Sequence, residues 1–248
     1  MPLTKWFWAL YWVGTDKGGI SALRLSKLID VQWRTAYSML RRLRIAMGQR
    51  DSRYRLTDLI EVDDAYLGAN KTGKAGHGGG RTPILVAIEK TEDGNPGFVA
   101  IEALDSLSKP EIVDFAKRHL HPDAICHTDA FPSLKGLAIH TTHIAKITPS
   151  EEADHWLPWV HVVISNLKRF LLGTYQGAVR PHRLQEDIDE FVYRFNGVLG
   201  TADPKSSPSS VRRVSARHHP WNMNQVQPHV LIYRPSMIFE RSGIGFAP

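Results

Sequence analysis

The sequence contains one cysteine, Cys126, among its 248 residues. A single thiol excludes an internal disulfide framework, and it also excludes a zinc site built from several cysteines. Chains that need neither device to fold are typical of reducing compartments. We therefore expect a cytoplasmic protein.

The sequence also lacks features of membrane or secreted proteins. The aromatic-rich stretch at residues 6–13 is far shorter than the ~20 apolar residues of a membrane-spanning helix. It lacks the small-residue cleavage site of a signal peptide. We interpret it as an amphipathic helix that packs on a core, and we expect no association with a membrane.

A nucleotide-binding P-loop is missing as well. Residues 71–81 include the glycine-rich run of residues 76–80, but no Lys-Ser or Lys-Thr pair follows it and no helix is indicated. We expect a flexible loop there.

The charge is distributed unevenly along the chain, whose overall net charge is +6. Residues 1–57 carry 11 Lys and Arg against 3 Asp and Glu, a net of +8. Residues 58–200 carry 14 against 20, a net of −6, and residues 201–248 carry 6 against 2, a net of +4. A basic segment ahead of an acidic one predicts a polyanion-binding module attached to a carboxylate-bearing domain.

Residues 20–47 indicate two helices joined by a tight turn at Asp30 and Val31. The apolar face of the first helix is formed by Leu23, Leu25, Leu28 and Ile29. The second helix, residues 33–44, repeats apolar residues at i, i+3, i+4 and i+7. These residues are Ala36, Met39, Leu40 and Leu43.

Four arginines of the second helix lie largely outside its apolar face: Arg34, Arg41, Arg42 and Arg44. A helix of this kind fits the recognition helix of a helix-turn-helix that lies in the major groove of DNA. These arginines are therefore our predicted DNA-binding residues. The alternative is a basic helical hairpin with no binding role.

Residues 59–68 predict a strand, in which three acidic side chains are unusual because acids are poor strand formers. Glu61 and Asp63 would point to one face of the strand and Asp64 to the other. Such carboxylates either hold a divalent cation or belong to a solvated edge strand.

Two further strands are predicted at residues 84–88 and 98–102, followed by a helix at 109–121. A fourth strand, residues 124–128, ends at Asp129. Ligands of open α/β sheets collect at the carboxyl ends of strands. Asp129 is therefore either a site residue or a turn residue.

The last predicted elements are helical. A capping box at residues 148–151 begins a helix that Pro158 breaks or kinks, and a second run extends from about 159 to Gly173. An amphipathic helix follows at 182–196.

His161 lies in the first turn of that second run, and Lys168 falls on the same side of the helix seven residues later. Asn166 is about 140° away around the helix axis. Together with Asp63 and Asp129, His161 could complete a two-metal phosphoryl-transfer site, in which Lys168 would hold a phosphate. The alternative for His161 is a packing residue.

Four segments resemble the ISXO-like transposases of bacterial insertion sequences: residues 60–68, 128–131, 156–175 and 189–196. The similarity extends over about residues 5–196. That family belongs to the DDE superfamily, whose catalytic core is RNase H-like. The resemblance implies DNA strand cleavage and strand transfer at inverted-repeat ends, with Mg²⁺ or Mn²⁺ as the cofactor.

By motif matching, Asp63 and Asp129 stand where the family has its catalytic aspartates, and Lys168 stands at its associated lysine. His161 stands where many relatives have glutamate, and imidazole suits Mn²⁺ better than Mg²⁺. Asn166 is the second choice for this third position.

We therefore predict an α/β fold with an RNase H-like mixed sheet flanked by helices, preceded by a small all-α helix-turn-helix segment. The predicted domains are a DNA-binding segment (1–50), a catalytic domain (56–198) and a poorly ordered, Pro/Ser-rich tail (199–248). The expected partner is double-stranded DNA, both terminal repeats and target, bound by a homo-oligomer at the bacterial nucleoid.

Two alternative functions remain. The histidine, the tail and the missing zinc ribbon of many relatives favour a catalytically inactive remnant that only binds DNA. An RNase H-like nuclease of RNA–DNA hybrids is the other.

Overall fold

The structure is a computed structural model that describes residues 1–16, 18–68, 81–147, 153–175 and 180–198. The predicted capping box and C-terminal tail lie outside these residues, as does the glycine-rich loop except for Arg81. Among the described residues, no helix has the length and apolar character needed to cross a membrane.

Three helices precede the sheet: α1 (Leu3–Thr15), α2 (Ala22–Leu28) and α3 (Trp33–Asp51). Ser21 caps α2 because its Oγ accepts a hydrogen bond from the backbone N–H of Arg24. The turn between α2 and α3 contains Asp30 with a φ of 50°. The three helices share a core of buried side chains: Ala9, Val13, Ile20, Leu25, Ile29, Ala36, Met39 and Leu40.

The predicted apolar face of α2 is only half correct. Leu25 and Ile29 are buried, but Leu23 and Leu28 are exposed. Since α2 has only seven residues, it presents a single narrow face, and positions four apart occupy it.

Five strands form one mixed sheet in the order β3-β2-β1-β4-β5. Their bounds are β1 (Leu59–Leu67), β2 (Thr82–Lys90), β3 (Pro96–Ala103), β4 (Ile125–Thr128) and β5 (Thr142–Ala145). The first three are antiparallel neighbours, whereas β4 runs parallel to β1 and β5 parallel to β4. This arrangement confirms the predicted RNase H-like fold.

Helices cover both faces of the sheet. They are α4 (Lys109–His119), α5 (Ala153–Trp156), α6 (Pro158–Tyr175) and α7 (Leu184–Val198), with 3-10 helices at Pro132–Ile139 and Pro181–Arg183. Ile60 and Val62 of β1 enter the core beneath α4, where Phe115 is fully buried. The opposite face of β1 packs against α6.

The predicted break at Pro158 is confirmed: α5 ends at Trp156 and α6 begins at Pro158. At this first helical position the missing N–H of proline costs nothing, because the first turn has no partner for it. The predicted end of α6 is wrong, since the helix continues through Gly173 and ends at Tyr175.

The outer edge of β3 is closed by side chains of α7. The amide of Asn196 accepts from Val99 N and donates to Val99 O, at 2.9 and 3.1 Å. About three turns earlier on α7, the side-chain amide of Gln185 accepts a hydrogen bond from Ala103 N and donates one to Ile101 O, at 2.8 and 3.2 Å. These two amides substitute for a neighbouring strand and satisfy backbone groups that an edge strand leaves open.

We expect Asn196→Ala to lower the free energy of unfolding by about 1–3 kcal/mol, because it leaves a buried N–H and a buried C=O without partners. Urea denaturation would measure the change. Gln185→Ala is the matched control: Gln185 is only partly buried, so water can replace its amide and the loss should be smaller. Equal losses would contradict this account.

The N-terminal helices are attached to α7 by a buried charge network. Arg44 is 6% exposed, and its guanidinium bonds Glu190 Oε2 at 2.8 Å and Asp187 Oδ1 at 3.0 Å. It also donates to the hydroxyl of Tyr175, the last residue of α6. Burial alone would lower the pKa of Arg44, but the charges of Glu190 and its neighbours raise it overall, so the group stays charged.

Glu190 is shared between two arginines. Its Oε1 lies 2.7 Å from Arg194 Nη2, and Arg194 in turn donates to the carbonyl oxygens of Val13 and Asp16, both at 2.6 Å. Those carbonyls lie at the end of α1, where helical C=O groups lack partners. Through these two arginines the network around Glu190 connects α1, α3, α6 and α7.

Candidate active site

Glu61 fixes the start of α6 on the sheet. Its side chain is 1% exposed, and Oε2 accepts hydrogen bonds from the backbone N–H groups of Trp159 and Val160 at 2.8 and 3.0 Å. A carboxylate there satisfies N–H groups that a first helical turn leaves open. Burial raises the pKa of Glu61 although these bonds oppose the shift. The sequence offered a divalent cation or solvent as the partner of the strand carboxylates, and neither alternative anticipated this contact of Glu61 with α6.

Asp63 and His161 are brought into contact by this packing. His161 Nε2 lies 3.4 Å from Asp63 Oδ2, while Asp63 Oδ1 accepts a hydrogen bond from the backbone N–H of Asp64 at 2.9 Å. Both side chains keep a solvent-accessible surface, 33% for the imidazole and 17% for the carboxylate. The pair is therefore oriented by backbone contacts and remains open to a ligand.

Asp129 follows the last residue of β4 and is exposed. The β1–β4 ladder ends where Glu61 lies opposite His127, two residues before Asp63 on β1 and two residues before Asp129 in the segment after β4. One oxygen of Asp129 accepts from Phe131 N at 3.0 Å, which is the turn predicted as the alternative.

The structure thus pairs Asp63 with His161 and places Asp129 directly after β4, the parallel neighbour of β1. Within the described ranges, no three His, Cys, Asp or Glu side chains come close enough together to hold a metal ion. The three-residue metal site remains a prediction.

Lys168 lies on α6 in unbroken helix from His161. Seven residues place it about 10 Å along the axis from His161, on the same side of the helix. Its side chain is exposed, whereas Asn166 is half-buried. Lys168 is therefore exposed to solvent on the side of α6 that carries His161.

An aromatic stack adjoins Asp129. The rings of His127 and Trp156 lie 4.3 Å apart and nearly parallel, at 10°. Trp156 Nε1 donates to the carbonyl oxygen of Thr128 at 2.9 Å, and Lys146 Nζ lies 5.6 Å from the Trp156 ring centroid. Burial, with the charge of Lys90, lowers the pKa of His127 and favours its neutral form. Sequence reasoning missed this stack because its members are far apart in the chain.

The four predicted DNA-binding arginines have different environments. Arg34 and Arg42 are exposed, and Arg41 is 50% exposed while paired with Glu186 at 2.7 Å. The prediction that Arg44 binds DNA is wrong. Arg44 is buried in the network with Glu190, because the side of α3 that carries it packs on α7. It cannot reach a phosphate.

A family model described as the ISXO2-like transposase domain matches residues 55–196, more than half of the chain. The chain belongs to the ISXO2-like transposase family. The match begins just before β1 and ends within α7, so this transposase domain contains the whole sheet and both catalytic candidates of β1 and α6. Helices α1 to α3 precede the matched region.

Other comparisons are distant. No curated protein shows a significant match to this transposase chain. The crystal structure of a pre-cleavage Mos1 transpososome is similar over 71% of this chain and 74% of that chain, at 11% identity and a TM-score of 0.27. For the Mos1 strand transfer complex the values are 78% and 74%, with 11% identity and a TM-score of 0.33. Neither similarity supports a residue-by-residue comparison.

Proposed function

We propose that this transposase is the enzyme of a bacterial insertion sequence, cleaving DNA at the terminal inverted repeats and joining the cut strand to a target. The observation that supports it best is the contact between Asp63 and His161, with Asp129 directly after the neighbouring parallel strand β4. The family of residues 55–196 is the second support.

The donor set fits a divalent cation. Asp63 and Asp129 would supply carboxylate oxygens and His161 an imidazole nitrogen, a mixture that suits Mn²⁺ better than Mg²⁺. Bound ions would activate the attacking oxygen and stabilise the departing one. The Asp64 N–H keeps Asp63 in position, and the Glu61 bonds keep the first turn of α6, and so His161, against β1.

The basic residues would position the DNA. Lys168, two turns beyond His161, would hold a phosphate close to the cleaved bond as a point charge. Arg34, Arg41 and Arg42 of α3 would bind the backbone of the terminal repeat. We expect the active species to be a homo-oligomer on DNA, because two element ends must be cut together.

The experiment is a cleavage assay on a duplex carrying the terminal repeat, identified from inverted repeats that flank the gene. We expect strand cleavage with Mn²⁺, weaker cleavage with Mg²⁺ and none with a chelator, because an imidazole ligand prefers the softer ion. Binding of the duplex without cleavage in either metal would reject the enzyme.

That last result would support the second function, a DNA-binding remnant. The histidine at the third position favours it, as does the turn in which one Asp129 oxygen is engaged. The remaining alternative, a nuclease of RNA–DNA hybrids, is tested with a hybrid of the same sequence. Such a nuclease would cut the hybrid faster than the DNA duplex.

A further inference from the structure

The sheet places a lysine beside the two aspartates. In the β4–β5 ladder Thr128 lies opposite Ala145, and Lys146 N donates to Thr128 O at 3.2 Å, which holds Lys146 against the end of β4. Asp129 directly follows β4 as Lys146 directly follows β5, and Asp63 lies on β1, the neighbour of β4 on its other side. The three charged residues therefore come from neighbouring elements at the carboxyl ends of β4 and β5.

The side chain of Lys146 lies on the same face of the sheet as Asp63. Its ammonium lies over Trp156, whose ring stacks on His127. His127 is the ladder partner of Glu61, and Glu61 contacts α6. Lys146, like Asp63, therefore faces the α6 side, and it is exposed there.

Trp156 gives this lysine a defined direction. The indole is held by its hydrogen bond to Thr128 O and by the stack on His127, and a cation over its face gains electrostatic attraction. A long lysine side chain at a surface loses rotamer freedom when it binds a phosphate. Prior contact with a fixed ring lowers that loss.

We propose that Lys146 binds a phosphate of the DNA strand that lies across Asp63 and Asp129, on the β5 side of the cleaved bond. This inference rests on the proposed function. Lys146 is a positioning residue: it holds the strand in register while the aspartates carry the chemistry. Lys168 contacts the same strand from α6, so the cleaved bond lies between two lysines from separate elements.

The test compares Lys146→Gln with Lys146→Arg in the full chain, using terminal-repeat duplexes in Mn²⁺. Lys135→Gln is the matched control, because Lys135 is an exposed lysine on the 3-10 helix that packs on α4, across the sheet from this face. Thermal unfolding of each variant checks that the fold is retained.

We expect Lys146→Gln to raise the KM for the duplex by about 10- to 100-fold, the effect of losing one charge-assisted hydrogen bond. The change in kcat should be small. Lys146→Arg should restore most of the affinity, and Lys135→Gln should leave KM unchanged. The slope of log KM against log salt should fall by about 0.9 in Lys146→Gln alone.

A second readout identifies the phosphate. Each phosphate near the cleaved bond is replaced in turn by an uncharged methylphosphonate. One replacement should strongly weaken binding of the duplex by the wild-type protein. The same replacement should leave binding by Lys146→Gln unchanged, because that variant has already lost the interaction. If Lys146 had a purely structural role, each methylphosphonate would cause the same loss of affinity in Lys146→Gln as in the wild-type protein.

A Lys146→Gln protein with wild-type KM, or with the wild-type response to every methylphosphonate, overturns the inference. If the wild-type protein cuts no DNA in either metal, the proposed function fails instead. The same duplexes are then compared by dissociation constant, and equal affinities of wild type and Lys146→Gln for each of them overturn the inference.

Discussion

Asp63→Asn should reduce metal-dependent strand cleavage by at least about 10²–10³-fold, the range for loss of one charge-stabilising group in an active site. Asparagine keeps the shape and can still accept the hydrogen bond from Asp64 N, but it removes the negative charge beside His161. Affinity for the terminal repeat should change little, since the proposed contacts of α3 are untouched. Single-turnover cleavage and equilibrium binding, measured on the same duplex, separate these two quantities.

Asp64→Asn is the control for that experiment. It makes the same chemical change one residue along β1, where the side chain points to the opposite face of the sheet. We expect cleavage within a fewfold of the wild-type rate. Comparable losses from both variants would show that the acidity of the strand matters and not the position of Asp63.

Glu190→Gln should lower the free energy of unfolding by about 3 kcal/mol or more. Glu190 is fully buried, and the change leaves the cationic groups of Arg44 and Arg194 in the interior with less compensating charge. Removing one partner of a buried ion pair costs more than the pair contributes, because the remaining charge is still desolvated. Urea denaturation measured at neutral pH would give the value.

Glu186→Gln provides the comparison, one turn earlier on the same helix. Its partner Arg41 is 50% exposed, and surface ion pairs contribute at most about 1 kcal/mol. We therefore expect Glu186→Gln to lower the free energy of unfolding by less than about 1 kcal/mol. Similar losses from Glu186→Gln and Glu190→Gln would mean that the N-terminal helices are not secured by the buried network.

The fold could be predicted because its signals are local. The signals for β1, for the strands at 84–88 and 98–102 and for the amphipathic period of α7 each lie within a few residues of sequence. The strand β5 was not predicted, since its four residues are mostly exposed and show no apolar alternation. Its existence depends on pairing with β4, a contact that local sequence does not report.

The candidate site also has features that local sequence predicts and features that depend on contacts between distant segments. Helical geometry places His161 and Lys168 on one side of α6, and the structure retains that arrangement. The role of Glu61 and the position of Lys146 require a strand register between distant segments. The misassignment of Arg44 has the same origin: its position relative to the apolar stripe of α3 suggested solvent, but a second helix, α7, covers it.

Helix α6 has a mechanical consequence. At 1.5 Å per residue its 18 residues form a rod of about 27 Å, anchored by Glu61 near one end and by the Tyr175 hydroxyl at the other. A tilt of about 4° at the Tyr175 end would displace the far end by roughly 2 Å. Movement of the N-terminal helices would thus load the two Glu61 hydrogen bonds that hold the first turn of α6, and with it His161, against β1.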